Sequence, residues 1–209
     1  MASPEQMRKM EAEITKYINI APIALYDIGI GHKTEWKTLH DLYPEMLLFG
    51  CEPLLNHYPH MAAEFPGKIK QVAVGDVSGN AKVYIRPEVQ PDECASMIDR
   101  FATGAYVEVP LWTLDQFDEW AGSQENVILW MDIEGLEYAA LRGGTNLLQS
   151  GRVKWINLEE RKEWEVEGPW SSPCDIVKLL NNYGYVRTLE YHIHKAHQDV
   201  IYVHESTVK

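Results

Sequence analysis

The feature that most constrains the fold is a short apolar run that ends at an acid and two alternate glycines. Residues 23–26 read Ile-Ala-Leu-Tyr, and Asp27, Gly29 and Gly31 follow before an amphipathic segment begins. This pattern predicts a buried parallel strand, a tight turn without side-chain bulk, and a helix whose free N–H groups point into the turn. A ligand can approach the backbone closely at such a turn.

A second apolar run, residues 46–51, ends at another acid, Glu52. Carboxylates at the ends of two neighbouring strands suit the hydroxyl groups of a ribose, so Asp27 and Glu52 together indicate a cofactor that contains a nucleoside. The simpler alternatives are a helix-capping turn at Asp27 and a solvated loop acid at Glu52.

Composition and charge limit the partners of the chain. The 209 residues carry a formal net charge of −12, and no basic cluster is longer than Arg161-Lys162. Because nucleic-acid affinity depends on basic side chains that neutralise phosphates, this balance argues against a nucleic-acid partner.

The three cysteines lack metal-ligand spacing and suit reduced thiols, and no apolar run approaches membrane-spanning length. We expect a cytoplasmic protein without membrane contact.

Strand and helix patterns alternate along most of the chain after a leading helix predicted over residues 4–19. The predicted strands of this alternation are 23–28, 46–52, 69–75, 127–132 and 153–159, and the predicted helices are 33–43, 54–64, 113–121, 137–149 and 173–183. The last two strands, 185–191 and 199–204, are joined by too few residues for a crossover helix, so they should be antiparallel. We therefore predict an α/β fold, Rossmann-like and doubly wound, with a mostly parallel sheet and an antiparallel C-terminal hairpin. One domain over residues 1–209, with residues 1–20 as its leading helix, accommodates this pattern.

Residues 86–110 form a weakly patterned insertion between two core elements. Before it, residues 83–85 are extended in pattern and predict an added strand or hairpin, and a short helix is predicted within the insertion at 93–101. A long insertion of this kind is often a lid on the substrate side of a site, and a surface excursion is the alternative.

A second cluster of acids, Asp132 and Glu134, lies where the predicted strand 127–132 gives way to a helix. Because the two acids are two residues apart, an extended backbone places both on one face. Ligands of open α/β sheets bind outside the carboxyl ends of the strands, where the strand order reverses. If this strand is the neighbour of strand 23–28, Asp27 shares one crevice with the two acids.

These acids have other interpretations. Asp132 and Glu134 could cap the helix that follows them, and the dipole of that helix accounts for Glu137. Together with Glu159 and Glu160 they could instead hold a hard divalent cation, because carboxylate oxygens suit Mg²⁺ or Ca²⁺. Acids at strand ends are common without a metal, so no metal ligand is predicted.

An ordered set of motifs carries a family resemblance. The motifs are Asp27-Ile28-Gly29-Ile30-Gly31, Phe49-Gly50-Cys51-Glu52-Pro53, Thr113-Leu114-Asp115-Gln116-Phe117, Met131-Asp132-Ile133-Glu134-Gly135-Leu136-Glu137, Leu141-Arg142-Gly143-Gly144 and a strand that ends in Glu159. This set resembles the FkbM-type methyltransferases, a branch of the class I fold that uses S-adenosylmethionine (SAM), over roughly residues 25–203. The resemblance implies a seven-stranded sheet, SAM as cofactor, and a small-molecule acceptor such as a saccharide or a secondary metabolite that is methylated on a hydroxyl.

The resemblance also implies roles for individual residues. Asp27, Gly29 and Gly31 would line the methionine part of the cofactor. Glu52 would hold its ribose, and Asp76 would lie near its adenine.

The chemistry of such a site is modest, because a sulfonium methyl group is already activated. The enzyme must align a nucleophile with the methyl group and exclude water. A hydroxyl acceptor also benefits from a base, and Glu134 is the predicted base if it lies within hydrogen-bond reach. Asp132 is predicted to fix the turn at the junction of cofactor and substrate.

Two other classes stay open on the sequence. A NAD-dependent oxidoreductase would use the first turn as a dinucleotide fingerprint, but Thr34 stands where that fingerprint has Gly or Ala. A non-catalytic cofactor-binding or scaffold protein could keep the same fold.

Overall fold

The structure is a computed structural model of the chain. It describes residue 12 and residues 23–31, 35–57, 59–89, 92, 94–161, 172–192 and 197–207. Apart from residue 12, the predicted leading helix lies outside the described residues.

The described residues form strands and helices that follow the predicted alternation. The strands are β1 (Ala24–Ile28), β2 (Leu47–Cys51), β3 (Lys68–Lys70), β4 (Ala73–Gly75), β5 (Gly79–Tyr84), β6 (Tyr106–Thr113), β7 (Val127–Met131), β8 (Val153–Arg161), β9 (Tyr185–His192) and β10 (His197–His204). The α-helices are α1 (Glu35–Leu42), α2 (Pro59–Glu64), α3 (Leu114–Ala121), α4 (Glu137–Arg142), α5 (Thr145–Gln149) and α6 (Pro173–Asn182). No helix in the described ranges combines the length and the apolar character that a membrane crossing requires.

The main sheet has seven strands in the order β3-β2-β1-β7-β8-β10-β9. Strand β1 pairs in parallel with β2 on one side and with β7 on the other, and β7 pairs in parallel with β8. Strand β10 is antiparallel to both β8 and β9. This topology confirms the predicted seven-stranded α/β sheet with its antiparallel C-terminal hairpin. It also places the reversal of strand order between β1 and β7, where ligands bind at the carboxyl ends of the strands.

The central strands β1 and β7 are buried along their whole length because the sheet is covered on both faces. One face packs on helices α3 to α6, with Tyr26 and Phe117 in edge-to-face contact at a ring separation of 5.4 Å. The opposite face packs on Trp36 of α1 and on residues of a second sheet, among them Val83.

That second sheet corrects the prediction of one strand over 69–75. The chain leaves the main sheet after β3, and β4 instead pairs in parallel with β6, which also pairs antiparallel with β5. The added strand predicted near residues 83–85 is confirmed as part of β5. The apolar pattern continues through the break because Val72 and Val74 are both buried, so it could not reveal the change of partner.

The predicted helix 137–149 is also divided, into α4 and α5, at Gly143-Gly144. A β-carbon on Gly143 would lie 2.2 Å from the carbonyl oxygen of Gly75, and one on Gly144 would lie 2.9 Å from Leu114. The backbone of this turn therefore packs too closely for a side chain, and that close approach ends α4.

The insertion is more ordered than its pattern predicts. Its last residues belong to β6, and the described residues 94–101 form turns rather than the predicted helix. Ser96 instead pairs with Tyr84 in an isolated antiparallel bridge, in which the Tyr84 N–H donates to the Ser96 carbonyl at 2.8 Å. This bridge uses the backbone groups that a helix would need.

Candidate active site

A cavity opens at the carboxyl ends of β1, β2 and β7. Its floor is the predicted glycine turn, and the insertion and the second sheet form its opposite wall. The polar or glycine residues that line it are Gly29, Gly31, Glu52, Asp92, Ser96, Asp132 and Glu134. The structure thus brings five of the seven sequence-predicted site residues to one cavity.

At Gly29 the glycine turn has no room for a side chain. Gly29 has a φ of +87°, and a β-carbon there would lie 2.3 Å from the carbonyl oxygen of Asp132. The Asp132 N–H in turn donates to the Ile28 carbonyl at 3.1 Å, so the ends of β1 and β7 are held together. Gly29 therefore allows the two predicted motifs to meet.

Glu52 lies against this turn, where its position at the end of the neighbouring strand predicts it. Its Oε2 accepts the N–H of Gly31 at 2.9 Å, and its Oε1 accepts the N–H of Leu54 at 2.8 Å. The residue is 6% exposed. A buried carboxylate is thereby fixed at the edge of the cavity.

Two predicted cofactor residues are not among the described residues that line the cavity. Asp27 is buried inside β1, opposite Gly50 of β2 and Trp130 of β7. Asp76 lies past β4 at the surface, where its carboxylate forms an ion pair with Arg142. The structure therefore gives no support to a role for Asp76 beside the adenine.

Glu134 lies in a turn with unusual backbone geometry. Its φ is +60°, which residues with a side chain rarely adopt, and Gly135 follows at +99°. The Glu134 Oε2 accepts from Arg100 Nη2 at 2.7 Å, and its carbonyl accepts from Ser96 Oγ at 3.0 Å. Sequence reasoning missed Arg100, because one cation in a weakly patterned insertion carries no signal of its partner.

Glu137 supports the same turn from within the protein. Its Oε1 accepts the N–H groups of Ile133 at 3.1 Å and Gly135 at 3.2 Å, and the residue is 2% exposed. Burial raises the pKa of Glu137 to about 7, with a contribution from the charge of Glu159. Glu137 thus holds the 133–135 turn in addition to beginning a helix.

The structure reduces the acids that could hold a cation from four to three. Carboxylate oxygens of Asp132, Glu134 and Glu159 lie within 4.8 Å of one another. Glu160 points elsewhere: it accepts from Arg187 at 2.7 Å and from the Tyr202 hydroxyl, and burial raises its pKa. Three of the four acids therefore remain close together, and one of these three is already paired with Arg100.

The charge of the cavity wall has one sign. Glu52, Asp92, Asp132 and Glu134 line it, whereas no Lys or Arg lines it among the residues that the structure describes. Such a wall favours a ligand with a net positive charge and opposes the pyrophosphate of a dinucleotide.

A strand-order reversal, a glycine turn and strand-end acids at one cavity are typical of proteins that bind a cofactor containing a nucleoside, and S-adenosylmethionine-dependent methyltransferases are one class of these. Residues 32–187 match the family model described as the methyltransferase FkbM domain. The match covers most of the chain, so the chain belongs to the methyltransferase FkbM family, and it is a SAM-dependent methyltransferase. The resemblance seen in the sequence is thereby confirmed.

Solved structures similar to the chain are methyltransferases and related proteins. The fibrillarin pre-rRNA processing protein of Methanococcus jannaschii has 12% identity and a TM-score of 0.50, with 94% of this chain and 74% of that chain covered. Magnesium protoporphyrin IX methyltransferase of Synechocystis PCC 6803 with bound SAM has 11% identity and a TM-score of 0.49, with 96% and 79% covered. Precorrin-6y C5,15-methyltransferase of Geobacter metallireducens GS-15 has 10% identity and a TM-score of 0.47, with 97% and 90% covered. A comparison with curated proteins found no match.

Proposed function

We propose that the chain transfers the methyl group of SAM to a hydroxyl of a small molecule, such as a saccharide or a secondary metabolite. The observation that carries O-methylation is the Glu134 carboxylate, which is held at the cavity wall by a backbone turn and by Arg100. A carboxylate in that place can take the proton that a hydroxyl loses when it is methylated.

The cavity suits SAM by its shape and its charge. Gly29 and Gly31 expose backbone to the cavity, which suits the methionine part of the cofactor, and the fixed Glu52 carboxylate suits the ribose hydroxyls. SAM has a net positive charge near neutral pH, and the described lining is negative. When it is bound, SAM supplies a methyl group on a sulfonium, from which a neutral thioether is a good leaving group.

The residues of the chain position and deprotonate the acceptor in this proposal. In this proposal the Glu134 carboxylate, whose Oε2 accepts from Arg100, takes the hydroxyl proton. The acceptor oxygen would thereby be prepared to take the methyl group that bound SAM would supply, with the electron pair of the carbon–sulfur bond left on sulfur. Ala95 and Met97 of the insertion give the cavity an apolar wall that helps to exclude water.

The oxidoreductase alternative is disfavoured by the same wall. A dinucleotide would bring its pyrophosphate to a turn beside Glu52 and Asp132, without a Lys or Arg in the described lining to compensate it.

Binding followed by methyl transfer tests the proposal. SAM, S-adenosylhomocysteine (SAH), NAD and nucleotide sugars are compared by thermal shift, and transfer from tritiated-methyl SAM is then measured on a panel of saccharides and hydroxylated secondary metabolites. We expect SAM and SAH to stabilise the protein, and transfer to at least one hydroxyl. Selective stabilisation by NAD would overturn the proposal. SAH binding without transfer to any acceptor would favour the scaffold alternative.

The base role is tested separately with Glu134→Gln. We expect turnover to fall about a hundredfold, because a positioned base contributes about that factor or more, while SAH affinity stays close to that of the wild type. Glu64→Gln, on the exposed Lys37–Glu64 pair, is the control and should leave turnover unchanged. Wild-type turnover in Glu134→Gln would remove Glu134 from the base role.

A further inference from the structure

Two residues of the insertion, Arg100 and Ser96, form hydrogen bonds with Glu134. Arg100 Nη2 donates to the Glu134 carboxylate at 2.7 Å, and Ser96 Oγ donates to the Glu134 carbonyl at 3.0 Å. Both donors come from one short stretch of the insertion, and both acceptors belong to the residue with a φ of +60°. The insertion therefore contacts the backbone and the charge of the same residue.

The segment is itself fixed, so these contacts are not those of a loose loop. Ser96 pairs with Tyr84 of β5, and Arg100 Nη2 also donates to the Cys94 carbonyl at 2.7 Å. Closer to the beginning of the insertion, Arg86 Nε donates to Asp92 Oδ1 at 3.0 Å. Arg100 is thus held against Glu134 by its own segment.

The ion pair is shielded from solvent beside the cavity. The Arg100 side chain is 11% exposed and that of Glu134 is 18% exposed. Charges in such surroundings interact more strongly than charges at the surface, and salt screens them less. The net charge at Glu134 that acts on a ligand in the cavity therefore depends on the Arg100 guanidinium beside it.

We propose that Arg100 is a positioning residue that acts through Glu134: it holds and partly neutralises this carboxylate at the cavity wall, and so limits the preference of the site for the sulfonium donor over its thioether product. This inference rests on the proposed function, because it takes Glu134 to lie near the sulfur of the bound cofactor. SAM and SAH differ at that sulfur by a methyl group and one positive charge. A carboxylate without a compensating cation would strengthen the binding of SAM but not the binding of SAH.

The test measures the affinities of the full-length protein for SAM and for SAH by calorimetry at pH 7.5, and compares their ratio between variants. We expect Arg100→Gln to raise the preference for SAM over SAH by about threefold or more, because one compensating charge is lost. Arg100→Lys keeps the charge and should restore a ratio close to that of the wild type. A merely structural role would weaken both ligands together and leave the ratio unchanged, and that result would overturn the proposal.

A matched control removes a similar ion pair at the opposite edge of the sheet. Arg152 is 17% exposed and pairs with Asp118, which is 7% exposed, and neither lines the cavity. Arg152→Gln should lower the melting temperature and leave the SAM-to-SAH ratio unchanged. A changed ratio in this variant would overturn the proposal, because loss of stability alone would then explain a change of the ratio.

The route through Glu134 is tested with a double variant. Glu134→Gln should lower the preference for SAM, and adding Arg100→Gln should then have no further effect on the ratio. An equal rise of the ratio in both backgrounds would show that Arg100 acts without Glu134, which contradicts the proposal. Failure of the proposed function gives different results: the wild type then binds neither SAM nor SAH, or binds them and transfers no methyl group to any acceptor.

Discussion

Replacing Gly29 by Ala should disrupt the turn at which the two acidic motifs meet. At a φ of +87° a residue with a β-carbon is strained by about 1–2 kcal/mol. The new β-carbon would also lie 2.3 Å from the Asp132 carbonyl oxygen, and forcing such a contact into packed surroundings adds about 1–3 kcal/mol. We expect the free energy of unfolding to fall by about 3 kcal/mol, which corresponds to a fall of about 6–12 °C in melting temperature for a domain of this size.

Gly31→Ala separates the two causes of this loss. Gly31 also has a positive φ, of +53°, but a β-carbon there meets no described atom within 4 Å. Only the cost of the positive φ applies, so we expect the free energy of unfolding to fall by about 1 kcal/mol. Urea unfolding of both variants gives the difference, and SAH binding reports whether the turn still accepts the cofactor. A loss in Gly31→Ala equal to or greater than that in Gly29→Ala would refute the steric argument.

Two further predictions concern acids around the cavity. The folded-state pKa of Glu137, about 7, lies above the ordinary value of 4.5, so its ionisation opposes folding and the wild type loses roughly 3 kcal/mol as pH rises between these values. Glu137→Gln should therefore be more stable relative to the wild type at pH 8 than at pH 5, and unfolding that shows the same difference at both pH values would contradict this. Glu52→Gln should weaken SAH binding about tenfold or more, because a fixed charged acceptor is lost, whereas Asp76→Asn should leave SAH affinity within about twofold. A larger loss in Asp76→Asn would return Asp76 to the cofactor site.

The parts of the fold that were predictable are those whose signal is local. Strands β1, β2 and β7 are apolar runs that end at acids, because parallel strands are buried on both faces and their carboxyl ends form the site. The contact between Glu52 and the glycine turn follows from the pairing of β1 with β2. Each of these features needs only a strand pattern and one neighbour.

Two of the errors in the predicted elements have non-local causes. Strand 69–75 is divided because β4 joins the second sheet, and helix 137–149 is divided at Gly143. The break in the helix lies against the end of β4, since a β-carbon on Gly143 would lie 2.2 Å from the carbonyl oxygen of Gly75, whereas the break in the strand lies between β3 and β4 at residues 71–72. A contact between residues so far apart in sequence leaves no periodic signal in either segment.

The candidate site depends on the insertion for its charge balance as well as for its wall. Carboxylates gathered around one cavity repel each other, the more so where solvent is partly excluded. Two of the four in the described lining, Asp92 and Glu134, are compensated from behind by Arg86 and Arg100, and both guanidiniums belong to the insertion. The segment with the weakest sequence pattern thus supplies the cations that lie behind two of the four acids in the described lining. The charge that these acids present to a ligand therefore depends on the insertion, and the sequence pattern of the acids alone does not give it.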